Sequence, residues 1–157
     1  MPTNKTIPTP ASKNVIISSH NPQNIAKRVP FAVVEAYKTI RTNLLFLLAQ
    51  NKGKVIALSS SDAGEGKSTT SINLAVSFAQ LNKKVLLIDA DMRRSSIHKK
   101  LKLDNTNGLS NAIAGFVPYE EAIHKYTDYL DIMTAGPIPP NPSELLSYTS
   151  FDELLAN

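Results

Sequence analysis

The segment at residues 59–70, SSSDAGEGKSTT, constrains the fold of this chain more than any other feature. It follows an apolar run at residues 55–58, which predicts a strand, and it precedes an amphipathic stretch from Ser71 to Leu81, which predicts a helix. A strand, a glycine-rich turn, a Lys-Ser pair and a helix, in this order, form the layout of a phosphate-binding loop. The first position of the usual pattern is Ser61 rather than glycine, so the prediction depends on the flanking elements as well as on the loop.

Each part of this loop has a separate role in holding a nucleotide. Gly64 and Gly66 allow turn conformations that bring backbone N–H groups close to an anion, and the N-terminus of the helix adds its positive dipole. Lys67 is expected to contact the β- and γ-phosphates, and the Ser68 hydroxyl is expected to ligate Mg²⁺. A dinucleotide-binding motif is excluded because Thr69 stands where its third glycine would fall. The predicted nucleotide-binding residues are Asp62, Ala63, Gly64, Glu65, Gly66, Lys67, Ser68 and Thr69.

Composition limits the classes of protein to which the chain can belong. Its 157 residues are the length of one domain, and the absence of cysteine excludes disulfides, thiolate zinc sites and a cysteine nucleophile. No apolar run approaches the roughly 20 residues of a membrane span, and the N-terminus has no signal-peptide pattern. We therefore expect a cytosolic protein.

The excess of basic residues lies in a polar N-terminal stretch. The net charge is +4, and residues 1–30 contain four basic residues and no acidic one. This stretch is rich in Pro, Ser, Thr and Asn and has no helical periodicity, which predicts a flexible tail ahead of a P-loop domain at residues 31–157. Four charges over this length are sparse, so no nucleic-acid partner is expected.

Helical and strand patterns alternate around the phosphate loop. They predict a helix over residues 31–50, a strand over 54–59, a helix over 67–81 and a fully apolar strand at residues 85–88. Two apolar strands joined by a helix predict a right-handed βαβ unit in a parallel sheet flanked by helices, the α/β architecture of a P-loop NTPase. Short elements are predicted downstream: helices at residues 98–103, 108–114 and 119–124, a strand at 130–134, a proline-rich loop at 136–142, a helix to Leu146 and a last helix from Phe151.

An acidic motif, IDADMRR, directly follows the second apolar strand. Asp89 and Asp91 stand two residues apart at a strand end, where they could meet Mg²⁺ directly or through water. One of them could accept a proton from an incoming hydroxyl, and Arg93 could neutralise charge on a phosphoryl group in transfer. The structural alternative is an acidic turn that caps the following segment. The phosphate loop one βαβ unit upstream favours the functional interpretation.

Together these features resemble the bacterial tyrosine kinases of capsule and exopolysaccharide assembly (CpsD/CapB type), a family related to the MinD/ParA-type P-loop ATPases. The similarity covers roughly residues 31–155. Residues 35–43, EAYKTIRTN, are similar to the family's oligomerisation helix, E-x-x-R-x-x-R, and residues 59–70 are similar to its phosphate loop. Residues 86–93, LLIDADMR, are similar to its D-x-D-x-R motif, and residues 136–146, GPIPPNPSELL, to a segment of the form G-x-x-P-P-N-P-x-E-L-L.

The resemblance implies ATP and Mg²⁺ as cofactors and gives roles to individual residues. It implies that Asp89 is the base for a tyrosine hydroxyl. It also implies that Ser68, Asp89 and Asp91 form the Mg²⁺ site. Lys67 and Arg93 would complete the catalytic set by contacting the phosphates.

The resemblance also implies partners and a location. It implies a homo-oligomer formed through Glu35, Lys38 and Arg41, in which Lys38 stands at the first arginine position and keeps the charge but not the planar fork. It further implies activation by the cytoplasmic segment of a membrane-spanning polysaccharide co-polymerase. Substrates would be tyrosine-containing proteins, and the kinase would lie at the inner face of the plasma membrane.

Two other functions remain open on sequence grounds. A MinD/ParA-like ATPase would hydrolyse ATP, but that class usually carries a second lysine five positions before the main one, where this chain has Asp62. The kinase family's second acidic strand, ending in D-T-P-P, and its tyrosine cluster are not found in this sequence, so we expect a sheet that is incomplete at the C-terminus. A chain of this kind could also hold nucleotide without turning it over.

Overall fold

The computed structural model describes residues 30–49 and 55–156, so the tail predicted for residues 1–30 lies almost entirely outside the described residues. The elements in chain order are α1 (Phe31–Ala49), α2 (Lys67–Ala79), β1 (Val85–Ile88), α3 (Ile97–Leu101), α4 (Leu109–Ile113), a 3₁₀ turn (Tyr119–Ala122), β2 (Ile123–Thr127), β3 (Leu130–Met133), α5 (Pro142–Leu145) and α6 (Thr149–Ala156). The predicted helices at both sides of the phosphate loop and the predicted strand beginning at Leu130 are confirmed.

The sheet has three strands in the order β1-β3-β2. β1 runs parallel to β3, with Val85 opposite Leu130, whereas β2 runs antiparallel to β3. The sheet is therefore mixed, and the prediction of a helix over residues 119–124 is wrong beyond the 3₁₀ turn. The sequence of β2, IHKYT, has a single aliphatic residue, so its pairing with the apolar β3 rather than its own periodicity makes it a strand.

The strand predicted over residues 54–59 is not formed. Residues 55–60 have no regular structure, and Lys54 lies outside the described part of the chain. Residues 55–58 face β1 across a cavity, and no described strand supplies the ladder hydrogen bonds that a strand requires. The predicted βαβ unit is therefore wrong in its first strand, and the parallel neighbour of β1 is β3.

The core holds α2 firmly against the sheet. Every residue of α2 from Ile72 to Phe78 is buried, and Ile72 and Val76 pack with Leu87 and Ile132 in one apolar cluster. A second cluster, beyond the carboxyl end of β1, joins β3 to the segments that follow β1 through Met92, Leu109, Ala112, Ile113, Ala122, Met133 and Ala135. Because α2 begins at Lys67, this packing fixes the position of the phosphate loop relative to the ends of the strands.

The proline-rich loop is anchored by a close approach of two backbones. A Cβ atom at Gly108 would lie 2.3 Å from the Gly136 nitrogen, so a larger residue cannot fit there without displacing the loop. The Asn105 side chain donates to the Gly136 carbonyl at 2.8 Å and accepts from the Gly136 amide at 3.0 Å. These contacts fix the position of Gly136, the first residue of the loop that leads to α5.

A buried arginine joins α1 to α2. The Arg41 guanidinium donates from Nη1 to the Ser77 carbonyl oxygen at 2.6 Å, and the residue is 9% exposed. The sequence placed Arg41 with Glu35 and Lys38 on an oligomerisation helix. In the structure Arg41 lies inside the chain, whereas Lys38 pairs with Glu35 on the surface at 2.8 Å.

We expect Arg41→Ala to lower the free energy of unfolding by about 1–3 kcal/mol, because it removes a charged hydrogen bond to a buried carbonyl. Lys38→Ala is the matched control on the same helix. It should change the free energy of unfolding by less than about 1 kcal/mol, as is usual for exposed ion pairs. Urea denaturation measures both variants. Equal midpoints for the two would show that the buried bond does not hold α1 to α2.

Candidate active site

The phosphate loop presents backbone N–H groups at the start of α2. Gly64 and Gly66 have φ angles of 91° and 93°, in the left-handed region that favours glycine. Gly66 occupies the N-cap position of α2, and glycine has no side chain that could cap that helix. The first amides of a helix have no partner within the helix, so this end can receive an anion.

Asp89 is buried at the carboxyl end of β1, where it is 3% exposed. Its carboxylate accepts hydrogen bonds from three backbone amides: Asp91 at 3.2 Å, Ser96 at 3.2 Å and Ile97 at 3.1 Å. Burial raises the pKa of Asp89, and the three amide bonds oppose that rise. Asp89 therefore both shapes the turn after β1 and caps α3. It thus has the capping role that the sequence analysis gave as the structural alternative.

Lys67 and Asp91 form an ion pair across the two motifs. Lys67 Nζ lies 2.7 Å from Asp91 Oδ2, and about a third of each side chain is exposed. Asp91 Oδ1 also accepts from the Arg94 amide at 3.0 Å. The hydrogen bond from Lys67 is the main cause that holds the pKa of Asp91 below its ordinary value.

Two serine hydroxyls connect the phosphate loop to the acidic turn. Ser96 Oγ donates to Ser68 Oγ at 2.8 Å, although the residues are 28 positions apart in the chain. The sequence analysis did not identify Ser96 as a site residue. A serine ahead of an apolar run signals only a helix cap, and its distant partner has no sequence signature.

Four polar residues of the two motifs line one cavity of about 720 Å³. They are Lys67, Ser68, Asp89 and Asp91. The rest of the wall is mostly apolar and comes from residues 55–58, from β1 and from Phe151, Leu154 and Leu155 of α6. A mostly apolar cavity that also contains a few polar groups is the usual form of a small-molecule site.

The oxygen donors of this site fit Mg²⁺ better than a metal that needs a full protein cage. Ser68 supplies a hydroxyl, Asp91 supplies a partly exposed carboxylate, and Asp89 lies behind it. The described residues contain no group of three or more His, Cys, Asp or Glu side chains that could hold a metal alone. Mg²⁺ typically takes one or two carboxylates and completes its shell with water and substrate phosphates.

The remaining predicted residues are placed at the edge of the site. Residues 62–65 are exposed at the loop, where the Asp62 amide donates to Glu65 Oε2 at 3.2 Å, and Thr69 is half-buried in the first turn of α2. Arg93 is exposed and donates to Ser143 Oγ of α5 at 3.1 Å. The structure therefore brings together Lys67, Ser68, Asp89 and Asp91, and it turns Arg93 away from them.

Comparison with known proteins gives a consistent result. Residues 53–137, more than half of the chain, match the family model described as AAA domain. The chain is 48% identical to the tyrosine-protein kinase YwqD of Bacillus subtilis over 121 residues, which cover 76% of this chain and 51% of that protein. It is 38% identical to the putative tyrosine-protein kinase CapB of Staphylococcus aureus over 143 residues, which cover 88% of this chain and 63% of that protein.

A solved structure agrees in fold as well as in sequence. The kinase domain of the Escherichia coli tyrosine kinase ETK superposes with a TM-score of 0.75 at 35% identity, over 78% of this chain and 49% of that one. The chain belongs to the bacterial tyrosine kinase family, within the AAA domain group. It spans between about half and two thirds of the length of the two relatives named above.

Family membership confirms the predicted P-loop architecture. The bacterial tyrosine kinase motifs recognised in the sequence, the phosphate loop and the D-x-D-x-R segment, are the two segments that the structure joins through Lys67 and Asp91. No helix in residues 30–49 or 55–156 has the length and apolar character needed to cross a bilayer.

The Lys67–Asp91 pair predicts a pH-dependent contribution to stability. Because the folded pKa of Asp91 lies below its ordinary value of 3.8, the pair stabilises the fold above that pH, and this stabilisation is lost as the pH falls through the lower folded pKa. The free energy of unfolding of Asp91→Asn should therefore fall below that of the wild type at pH 5–7, a range in which carboxylates of ordinary pKa are ionised. The difference should shrink toward pH 3.

Urea denaturation across this pH range, without Mg²⁺ or nucleotide, measures the difference. The matched control is Asp91→Asn in a Lys67→Met background, in which the partner that lowers the pKa is absent. The pH trend should largely disappear there. A trend of equal size in both backgrounds would mean that Lys67 is not its cause.

Proposed function

We propose that this chain is the nucleotide-binding part of an ATP- and Mg²⁺-dependent protein-tyrosine kinase that autophosphorylates. The observation that carries the proposal is the convergence of Lys67, Ser68, Asp89 and Asp91 beside the uncapped start of α2. Relatives that are named tyrosine-protein kinases support the same conclusion.

In this proposal the nucleotide phosphates bind along the loop and the start of α2. Gly64 and Gly66 leave the backbone amides open to the phosphates, and the helix dipole favours negative charge there. Lys67 exchanges its partner, from the Asp91 carboxylate to the β- and γ-phosphate oxygens. Asp91 is then released to join Ser68 in holding Mg²⁺, which would supply positive charge to offset the charge of the phosphoryl group in transfer.

Asp89 is the proposed base for the tyrosine hydroxyl. Burial raises the pKa of its carboxylate, which increases its proton affinity. Asp89 is held by backbone amides, so its orientation is fixed before substrate arrives. Arg93 would have to leave Ser143 and swing toward the site before it could neutralise charge there.

Partners and the cellular role are part of the same proposal. The names of relatives, among them a putative tyrosine-protein kinase in the cps region of Klebsiella pneumoniae, support a role in capsular or exopolysaccharide synthesis and export. We place the kinase at the cytoplasmic face of the membrane, with the cytoplasmic segment of a polysaccharide co-polymerase as its activator. Homo-oligomers would form through the exposed parts of α1, because Glu35 and Lys38 remain at its surface while Arg41 does not.

Nucleotide binding without turnover is the second candidate for the chain as given. The observation in its favour is that residues 55–58 lack a ladder partner among the described strands, so one wall of the site is not held by a sheet. Free phosphate without phosphotyrosine would instead indicate a hydrolase of the MinD/ParA type.

We expect Lys67→Met to lower phosphotyrosine formation by at least ~100-fold, since removal of one preorganised hydrogen-bond donor costs about this much in other enzymes. The assay uses γ-labelled ATP and Mg²⁺ with the complete protein and separates label on tyrosine from free phosphate. Lys83→Met, an equal change of charge at an exposed position after α2, is the control and should retain activity. Retained phosphotransfer in Lys67→Met would refute the assignment.

A further inference from the structure

Ser96 stands at the N-cap of α3 but does not act as its cap. Serine is a preferred N-cap residue because its oxygen usually accepts from the first amides of the helix. Here no capping bond is made by Ser96, and the Asp89 carboxylate accepts from the Ser96 and Ile97 amides instead. The Ser96 hydroxyl is thereby released from its usual local role, and it points to Ser68 on the other motif.

We propose that Ser96 is a positioning residue that sets the orientation of the Ser68 hydroxyl toward a divalent cation; this rests on the function proposed above. A hydroxyl that gives a lone pair to a cation must direct its proton elsewhere. In the structure Ser96 Oγ donates to Ser68 Oγ at 2.8 Å. With a cation on the Ser68 oxygen, the same pair would bond in the opposite direction, with Ser68 donating to Ser96, because a serine hydroxyl both donates and accepts.

Another serine of α2 shows the local bond that is the alternative for a helical hydroxyl. The Ser71 hydroxyl, one turn further along the helix, bonds back to the Lys67 carbonyl at 2.8 Å. Such local bonds to the backbone are the default for helical serines. Ser68 instead makes its bond across the site, so its oxygen is held near the Lys67–Asp91 pair.

The position of Ser96 is itself fixed by the buried Asp89. The bond between them uses the Ser96 backbone amide, so replacing the side chain leaves this contact in place. Asp89, Ser96 and Ser68 thus form a chain of contacts from the end of β1 to the start of α2. Replacing the Ser96 side chain therefore removes only the contact between Ser96 and Ser68, and it leaves the bond to Asp89 in place.

The test compares the affinity for ADP with Mg²⁺ and with EDTA, measured by calorimetry on the full chain. We expect wild-type protein to bind ADP more tightly with Mg²⁺, and we expect Ser96→Ala to lose about 2- to 10-fold of that gain, the range for one hydrogen bond. Its affinity in EDTA should stay unchanged. Ser95→Ala is the matched neighbour control and should behave as wild type, whereas Ser96→Thr keeps a hydroxyl and should retain the Mg²⁺ gain.

The possible results separate the two levels of the proposal. A full Mg²⁺ gain in Ser96→Ala, or an equal loss with Mg²⁺ and with EDTA, would overturn the role of Ser96 and leave nucleotide binding intact. Loss of the gain in Ser96→Thr as well would also overturn it, because the hydroxyl would then not be the determinant. Wild-type protein that does not bind ADP, or that binds it equally with and without Mg²⁺, would overturn the proposed function and this inference together.

Discussion

The backbone amides gathered by the Asp89 carboxylate determine the shape of the site. A buried carboxylate is costly unless hydrogen bonds compensate it, and here the compensation comes from the turn that follows β1. Two of those amides belong to Asp91 and Ser96, so the bonds that satisfy Asp89 also fix the starting points of both side chains. One side chain reaches Lys67 and the other reaches Ser68.

The charge of Lys67 is balanced by a carboxylate of the same chain. Asp91 supplies the counter-charge and occupies the place on the ammonium group that phosphate oxygens would take in the proposed function. Binding would then exchange one ion pair for another, so the gain in free energy depends on the difference between the two pairs. The partial exposure of both side chains keeps that exchange accessible to solvent and sensitive to ionic strength.

Local patterns predicted the parts of the structure that depend on local physics. Helical spacing located α1 and α2, and the lysine and glycines of the loop indicated its ligand class. The failures concern contacts between distant segments. β2 is a strand because β3 lies beside it, and residues 55–58 are not a strand because no described neighbour pairs with them. The bonds of Ser96 to Ser68 and of Arg93 to Ser143 likewise have no periodicity to reveal them.

Because α2 is buried in the core, binding at its uncapped N-terminus would affect the stability of the whole domain. This helix is buried in the core from Ile72 to Phe78, whereas its first amides lie beside Gly66 at the phosphate loop. An anion bound there would complete the hydrogen bonding of the same helix on which the sheet packs. Occupancy of the loop would therefore slow amide hydrogen exchange not only around Gly66 but deep in the core strands, where no ligand atom reaches.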